Sequence, residues 1–472
     1  MADIAVARAE KVWIATQASH AQNYTNFLAA DVVYNIGAFQ FEQKLASFPN
    51  EEKRNSRTRL RPVDERFPPG SWSMQTYAKD ASAAGTVPEV DVLLRAGVGA
   101  SVTKATTRVG TTAPAVSTFS LTNTQDRTNT AILVKKGVAQ GTYYEFGYVV
   151  SMAAASGGNR KVRITPALGT APTANVTIIG SVTYSPAATT PAAVAILVLR
   201  DHTSFRITGA SVNQHVVTVP GEGPATIDWS GELMRHFTTG SDGLASAITS
   251  ATTTFKVDGS AHRFQQGSYM VVTESTKKEA IYVNADPATN ATVTLTGLIR
   301  GRKGTAATAF TAAANITPWF PGALSTSAVA AQGRPLAGFK GVIQLDGTDF
   351  ITREASVTYN NMSKMATGEK NDSLYVTSFS NPGFREVTGS LRAFFRKADA
   401  QRFRDGLDLV TKEILIPIGR PKDANMILIL LKQLTLGSPG LSGDEETEMA
   451  IDFQAFGAAS SDNDEYRIAY IK

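Results

Sequence analysis

ITREASVTYN (residues 351–360) and REVTGSLRAFF (385–395) are runs of alternating residues, and the long polar stretch between them closes on a turn at Pro382-Gly383. A period of two puts successive side chains on opposite faces of a sheet, so each run predicts a half-buried strand and the pair predicts a hairpin with a long loop. A short helix is expected next over ADAQRFRDGL (398–407), because Phe403, Leu407 and Val410 recur at helical spacing and Ala398 to Gly406 holds no β-branched residue. Strands then follow at EILIPI (413–418), NMILILLKQLTL (425–436), TEMAIDFQAF (447–456) and EYRIAYI (465–471). In the third of these, Met449, Ile451, Phe453 and Ala455 share one face, while Ala450, Asp452, Gln454 and Phe456 share the other. Residues 351–472 therefore read as a β sandwich carrying one packed helix.

Working outward, the same order appears near the start of the chain. Phe39 and Phe41 face one side of a strand and Gln40, Glu42 and Lys44 the other. The loop SFPNEEKRNSRTRLRPVDERFPPG (47–70) follows, and then a strand with Trp72, Met74 and Thr76 opposed to Ser73, Gln75 and Tyr77. PEVDVLLRAG (88–97) reads as a helix with Pro88 in its first turn and Gly97 at its end. AVAILVLRDHTSFRITGASVNQHVVTV (193–219) and ATIDWSGEL (225–233) parallel residues 413–436 and 447–456. We read an internal duplication from the order of elements, not from residue identity; two ordinary sandwiches of the same order are the alternative. Residues 1–33, with VWIAT at 12–16, read as an arm or a first edge element.

Two stretches interrupt this frame. Ala113 to Pro186 holds short strands at STFSLTNT, TYYEFGYVVSM, RKVRITPAL and VTIIGSVTYSP, separated by Gly, Asn and Pro turns, and reads as a small sandwich or barrel. Thr238 to Pro318, with TTFKVDGS, YMVVTES, EAIYVNAD and ATVTLTGLIRGRKGT, reads as a second β module. GALSTSAVAAQGRPLAGFKG (322–341) is a small-residue linker. The predicted division is 1–112 and 187–237 for the first unit, 113–186 and 238–320 for the inserts, 321–350 for linker and entry strand, and 351–472 for the second unit.

Composition narrows the function. A chain of 472 residues exceeds one core and divides into two to four domains. The net charge of +5 is small for this length and does not mark a nucleic-acid binder. Its distribution is uneven: Arg385, Arg392, Arg396, Lys397, Arg402 and Arg404 stand against Glu386 and Asp399, whereas the stretch from Asp444 to Lys472 is acidic. Such opposed patches suit self-association, or are simply two solvated faces. With no cysteine, neither disulfides nor thiolate metal sites are available. Charges at Asp3, Arg8, Glu10 and Lys11 interrupt any signal-peptide core, and the run Met426 to Leu431 is far short of the ~20 residues a bilayer span needs, so no membrane insertion is expected.

Catalytic and ligand signatures are missing. His20, His202, His215, His236 and His262 lie apart, with no HExxH pair. Asp444-Glu445-Glu446 and Asp462-Asn463-Asp464-Glu465 lack the spacing of a calcium loop and read as solvated acidic turns. Gly240 to Gly243 is no nucleophile elbow, and neither Gly97-Val98-Gly99 nor GRKGT (301–305) has the length of a phosphate loop. In the loop after the first strand, Glu51, Glu52, Asp64 and Glu65 flank Lys53, Arg54, Arg57, Arg59, Arg61 and Arg66. That mixture fits a loop docking on a protein surface better than one gripping phosphate; a merely solvated loop is the plain alternative. No metal or cofactor site is expected.

The succession strand, long loop, strand, helix and antiparallel strands, with EVTGSL at 386–391 and DEYRIAYI at 464–471, resembles the major tail tube proteins of long-tailed bacteriophages. GSWSMQTYAK (70–79), SFRITGASVNQ (204–214) and TLTGLIRGRKGTAATAF (294–310) extend the likeness over most of the chain. The resemblance implies a mainly β fold of two tandem tail-tube-type sandwiches, each with one short helix, plus two small inserted β domains. It implies a structural virion protein, made in the host cytoplasm, with no cofactor. Hairpins of neighbouring units would close a barrel, rings would stack, and DNA would pass through the lumen. Partners would be further copies, the tape measure protein and DNA inside, and terminator and distal tail proteins at the ends. Family rings are built from six equivalent units, so two units per chain imply trimeric rings with pseudo-sixfold symmetry. Candidate lumen residues are Gln40, Glu42, Ser73 and Gln75 in the first unit, with Thr352, Glu354, Ser356, Thr388 and Ser390 in the second. Arg392 shares the face of Ser390 and fits only if a carboxylate neutralises it. The loop Pro49 to Gly70, with Glu51 to Arg66 as its candidate contact residues, and the loop Asn360 to Phe379 would project along the tube axis and contact the next ring. The alternatives are another tail component, baseplate hub or sheath-like, and an extracellular carbohydrate-binding module or adhesin.

Overall fold

Alternation along each strand commits one side to a core, and two such strands joined by hydrogen bonds commit both to the same core. The computed structural model describes residues 10–20, 23–44, 47–48, 63–64, 67–83, 85–110, 114–122, 127, 130–138, 141–153, 160–187, 192–287, 293–324, 333–367, 375, 379–380, 383–396, 399–420, 425–443, 446–457 and 463–472. The frame consists of β1 (Lys11–Gln17), β2 (Asn35–Glu42), β3 (Gly70–Tyr77), α1 (Asp91–Gly97), β4 (Ala193–Arg200), β5 (Thr203–Ala210), β6 (Gln214–Pro220), β7 (Thr226–Leu233) and β8 (Arg235–Thr239). It continues with β9 (Ile343–Leu345), β10 (Glu354–Asn360), β11 (Glu386–Phe394), α2 (Ala400–Leu407), β12 (Thr411–Arg420), β13 (Asn425–Leu436), β14 (Gly440–Ser442), β15 (Glu448–Ala455) and β16 (Arg467–Ile471).

One antiparallel wall runs in the order β2-β3-β7-β6-β10-β11-β15 and passes through both halves of the chain. The halves meet where β6 pairs with β10, from Gln214↔Asn360 to Pro220↔Glu354. Behind the wall, β5 pairs with β4 and β8, and β4 with β1. In the second half β13 pairs with β12 and β16, and β12 with β9. A single core lies between the layers, with Trp72, Met74, Val217, Trp229, Val357, Tyr359, Leu391 and Ile451 from the wall against Ile196, Ile207, Ile416 and Ile429. Burial of each such side chain stabilises by about 1.5–3 kcal/mol, so the alternation alone fixes which face is inside. VWIAT lies within β1, a buried strand between β4 and Val32–Val33.

Several local expectations are corrected. The first helix begins at Asp91, not Pro88, whose carbonyl instead accepts the Asp91 N–H at 3.0 Å in a preceding turn. In α2 only Phe403 packs on the core; Leu407 ends the helix and is exposed, as is Val410 beyond it. The alternation in β2 is broken by a register shift between Ile36 and Gln40, where Gly37 has φ +73° and the Phe39 N–H donates to Glu10 Oε1 at 2.6 Å. Asp464 and Glu465, expected in a solvated turn, are buried: Asp464 meets Lys432 Nζ at 2.6 Å and Glu465 meets Arg385 Nε at 2.7 Å. These partners belong to the same chain, so this part of the opposed charge is neutralised internally.

The inserted modules each cover the outer layer of one half. Thr107–Arg108, Thr177–Ile179, Ala131–Val138, Gly141–Met152, Arg160–Thr165 and Thr118–Leu121 form one six-stranded sheet with its own core. Ala131, Leu133 and Tyr148 from this sheet pack on Leu415, Met426, Leu428 and Ile471 of the second half, and the Tyr148 hydroxyl donates to the Leu428 carbonyl at 3.0 Å. Ser181–Tyr184 then pairs with β16 on one side and Ser101–Lys104 on the other. The second module packs Val271, Ala280 and Trp319 on Trp13, Ala15, Leu197 and Leu199 of the first half.

The phrase GLIRGR gains a physical role in that second module. The Arg300 guanidinium meets buried Glu279 through Nε–Oε1 and Nη2–Oε2, both 2.7 Å, and also donates to the carbonyls of Thr249, Thr252 and Thr308. Glu279 further accepts the N–H groups of Gly301 and Thr308, each at 2.9 Å. Removing one partner leaves a buried charge alone, so Glu279→Ala should destabilise this module by roughly 3–5 kcal/mol, read as a lowered urea midpoint for its unfolding.

Candidate functional site

The side of the wall that faces away from the core is an ordered polar surface built by the frame. Residues directly opposite on neighbouring antiparallel strands share a face, so the register decides which groups meet. One row runs Gln75, Asp228, Val216, Thr358, Thr388, Gln454, and the next runs Tyr77, Thr226, Thr218, Ser356, Ser390, Asp452. A third holds Gln40, Ser73, Ser230, Gln214 and Asn360. Gln75 Nε2 donates to Asp228 Oδ1 at 2.8 Å, and the Ser356 and Ser390 hydroxyls lie 2.9 Å apart across β10 and β11.

Gln40, Ser73, Gln75, Glu354, Ser356, Thr388 and Ser390 therefore fall in adjoining rows of one surface, and Glu42 extends it at the end of β2. Thr352 precedes β10 and is not part of a strand. Arg392 stands directly opposite Glu354, with Nη1 3.8 Å from Oε2. The reading of single strands missed Gln214, Thr218, Asp228 and Ser230; the alternation of QHVVTV and ATIDWSGEL carries that information once β6 and β7 join the wall. Over these rows and strand ends, Glu42, Asp228, Glu232, Glu354, Glu386, Glu448 and Asp452 outnumber Lys44, Arg353 and Arg392, which pair with Glu42, Glu448 and Glu354. Such a surface offers hydrogen bonds but repels polyanions, since phosphate is held by clustered Lys and Arg.

The opposite side of the same strands is aromatic. Trp72 Nε1 donates to the Ser211 carbonyl at 2.9 Å and Trp229 Nε1 to Thr76 Oγ1 at 3.0 Å, so both indoles are satisfied in the core. At the junction of the halves, His215 lies against Trp229 and Tyr359, with ring centroids 5.3 Å away in each case, and its Nε2 is 2.9 Å from the Tyr466 hydroxyl. Burial pushes the His215 pKa down to about 3, because a charged imidazolium there would lose its hydration. Gly389, within EVTGSL, is required by close packing: a Cβ there would lie 2.2 Å from the Ser356 carbonyl oxygen and 2.3 Å from the Phe453 ring.

Both long hairpin loops leave the wall at one end, after Glu42 and after Asn360. They touch there: the Phe67 and Tyr375 rings stack at 5.1 Å, and the Arg235 guanidinium lies 4.7 Å over Tyr375. Val63–Asp64 pairs with Ser47–Phe48 within the first loop. Glu51, Glu52, Lys53, Arg54, Arg57, Arg59, Arg61, Glu65 and Arg66 lie outside the described residues. Among the described residues no group of three His, Asp or Glu is arranged to hold a metal, and no helix is long and apolar enough to cross a membrane.

A family model described as phage tail tube protein matches residues 216–455, more than half of the chain, from β6 at the junction to the end of β15. No curated protein matches the chain.

His215 supplies a test of the junction. Its folded pKa lies below the ordinary 6.5, so the unfolded chain takes up the proton first as pH falls. Its contribution is complete above about pH 6.5 and declines by about 1.4 kcal/mol per pH unit toward pH 3. Urea midpoints of His215→Leu should fall less steeply than those of the unaltered protein between about pH 6 and 4.

Proposed function

The chain belongs to the phage tail tube protein family, a structural protein of the virion tail and not an enzyme, and we propose that each copy supplies two tube units to a closed ring. The observation that carries this reading is the β6–β10 junction. There one polypeptide already joins two successive hairpin walls edge to edge. The two halves use matching connections: hairpin β2–β3 continues to β7 and β6, and hairpin β10–β11 continues to β15 and the segment formed by the end of β13, Gly437 and β14. The second set repeats the first, which supports a duplicated unit.

On this reading the next joint lies between copies. Among the described residues β14 pairs with β15 alone, and β2 ends the wall on the other side. An edge strand exposes main-chain donors and acceptors, which is a hazard alone and a joint when an identical neighbour covers it. β2 of one copy would lie antiparallel to β13–β14 of the next, as β10 lies on β6. A head-to-tail contact of this kind closes when the rotation per unit divides the circle, and a closed barrel leaves no edges. Two units per chain make that ring a trimer with pseudo-sixfold symmetry.

The polar face of the wall would line the lumen, with Gln40, Glu42, Ser73, Gln75, Glu354, Ser356, Thr388 and Ser390 toward DNA and the tape measure protein. The paired loops at the Phe67–Tyr375 end would meet the next ring, and terminator and distal tail proteins would cap the stack. The inserts, on the far side of the core from the wall, would project outward.

Electron microscopy of assembled tubes should give threefold rings whose density repeats approximately every sixth of a turn; strictly sixfold rings of complete chains would overturn the duplicated unit. Lumen chemistry has its own readout. Glu42→Lys/Glu354→Lys should leave tube formation intact and slow DNA ejection measured by dye release, and unchanged ejection would remove these strands from the lumen.

A further inference from the structure

The end of α2 is unusual for a soluble surface. Asp408 N–H donates to the Arg404 carbonyl at 2.9 Å and Val410 N–H to the Asp405 carbonyl at 3.1 Å. This closure requires a left-handed residue at position 409, where φ is +49°. Glycine ordinarily occupies such a position, because any Cβ is crowded there. Here it is Leu409, and its side chain is 68% exposed. Leu407 is 74% exposed and Val410 38%. Leu409 also borders the groove over Ser390, Gln454 and Gly437, which puts it beside the open margin of the wall. On that margin Leu441 of β14 is 52% exposed. A bulky apolar residue held in a strained conformation and left in water is explained neither by the helix nor by the core.

The first half shows what the same place looks like when it is covered. In and just after α1, Leu93, Leu94, Ala96 and Val98 are fully buried in the core, where α1 packs on β1 and β4. The helix is roofed by Ser181–Tyr184: the Tyr184 hydroxyl donates to Asp91 Oδ1 at 2.7 Å, and its ring meets Tyr470 of the second half edge-on at 6.1 Å. Val219, close to the end of β6, is buried beside Ala355 of β10. Leu441 stands at the corresponding place along β15, with no strand on its far side among the described residues.

We infer that Leu407, Leu409, Val410 and Leu441 form an apolar contact that a second copy of this chain buries. The inference rests on the ring reading above and adds a layer to it: the joint between copies is a packed hydrophobic seam as well as a strand pairing. The second copy is the occupant because, within one chain, β10 of the other half fills the equivalent space beside β6, and Tyr470 of that half backs the strand Ser181–Tyr184 that roofs α1. A ring neighbour docking on β14 brings its first half to the same side of α2.

The test compares the full-length protein with Leu409→Gly and with Leu407→Lys/Leu441→Lys, reading thermal unfolding of the unassembled chain and the protein concentration at which light scattering reports tubes. Leu409→Gly relieves the backbone, so the unassembled variant should melt no lower than the parent while needing at least tenfold more protein to assemble. Leu407→Lys/Leu441→Lys, at exposed positions, should melt within a few degrees of the parent and form no tubes. Assembly of both variants at the parent's concentration overturns this seam and leaves the ring reading standing, as does a tube map in which α2 faces solvent. Absence of rings from the parent protein overturns both.

Discussion

Main-chain pairing between β6 and β10 is the constraint on which the rest of the molecule depends. Seven residues of each strand lie in register, so a slip by one would turn Val217, Val219, Val357 and Tyr359 out of the core and bring Thr218 and Ser356 in. Because one face is aromatic and apolar while the other is Ser, Thr, Gln and acid, that slip is heavily penalised. His215 sits at this joint as a neutral group whose position depends on both halves.

The wall's two faces also divide its tasks. Packing is confined to one side, where Trp72, Trp229 and Phe453 lock the layers together. Among the described residues, none of the rows on the other side belongs to the core. On the proposed reading of this face as a lumen, its short polar side chains and carboxylates would suit passage of a polyanion better than capture of one, and Arg392 is matched by Glu354 on the neighbouring strand.

Much of this was legible in residue order. Alternation in SWSMQTY, EASVTYN and MAIDFQA determined which residues are buried, because strand periodicity leaves little choice once one face is apolar. The helix in ADAQRFRDGL was located but its apolar positions were misassigned: Leu407 and Val410 recur at helical spacing, yet the left-handed turn at Leu409 takes Val410 off the helix axis. Long-range register was not legible. Nothing in the alternation of QHVVTV says that its neighbour is EASVTYN, more than a hundred residues later, since edge pairing reads backbone and not side chains. For the same reason Asp464 and Glu465 read as a solvated turn when Lys432 and Arg385, distant in sequence, neutralise them.

The inserts sharpen the question of what remains uncovered. The outer layer of the first half, with Trp13 and Leu197, is roofed by the second module, and the outer layer of the second half, with Leu415 and Leu428, by the first. A chain that needed only solubility would leave its wall margins equally protected, since a bare edge strand invites uncontrolled pairing. Instead, among the described residues, β2 and β14 end the wall, and α2, whose Gly406 lies against Gly437 and Ser438 just before β14, carries exposed leucines. On the proposed ring reading, protection of the broad apolar faces and exposure of the two margins belong together: the first would prevent indiscriminate aggregation, and the second would direct association along the line on which a ring can close.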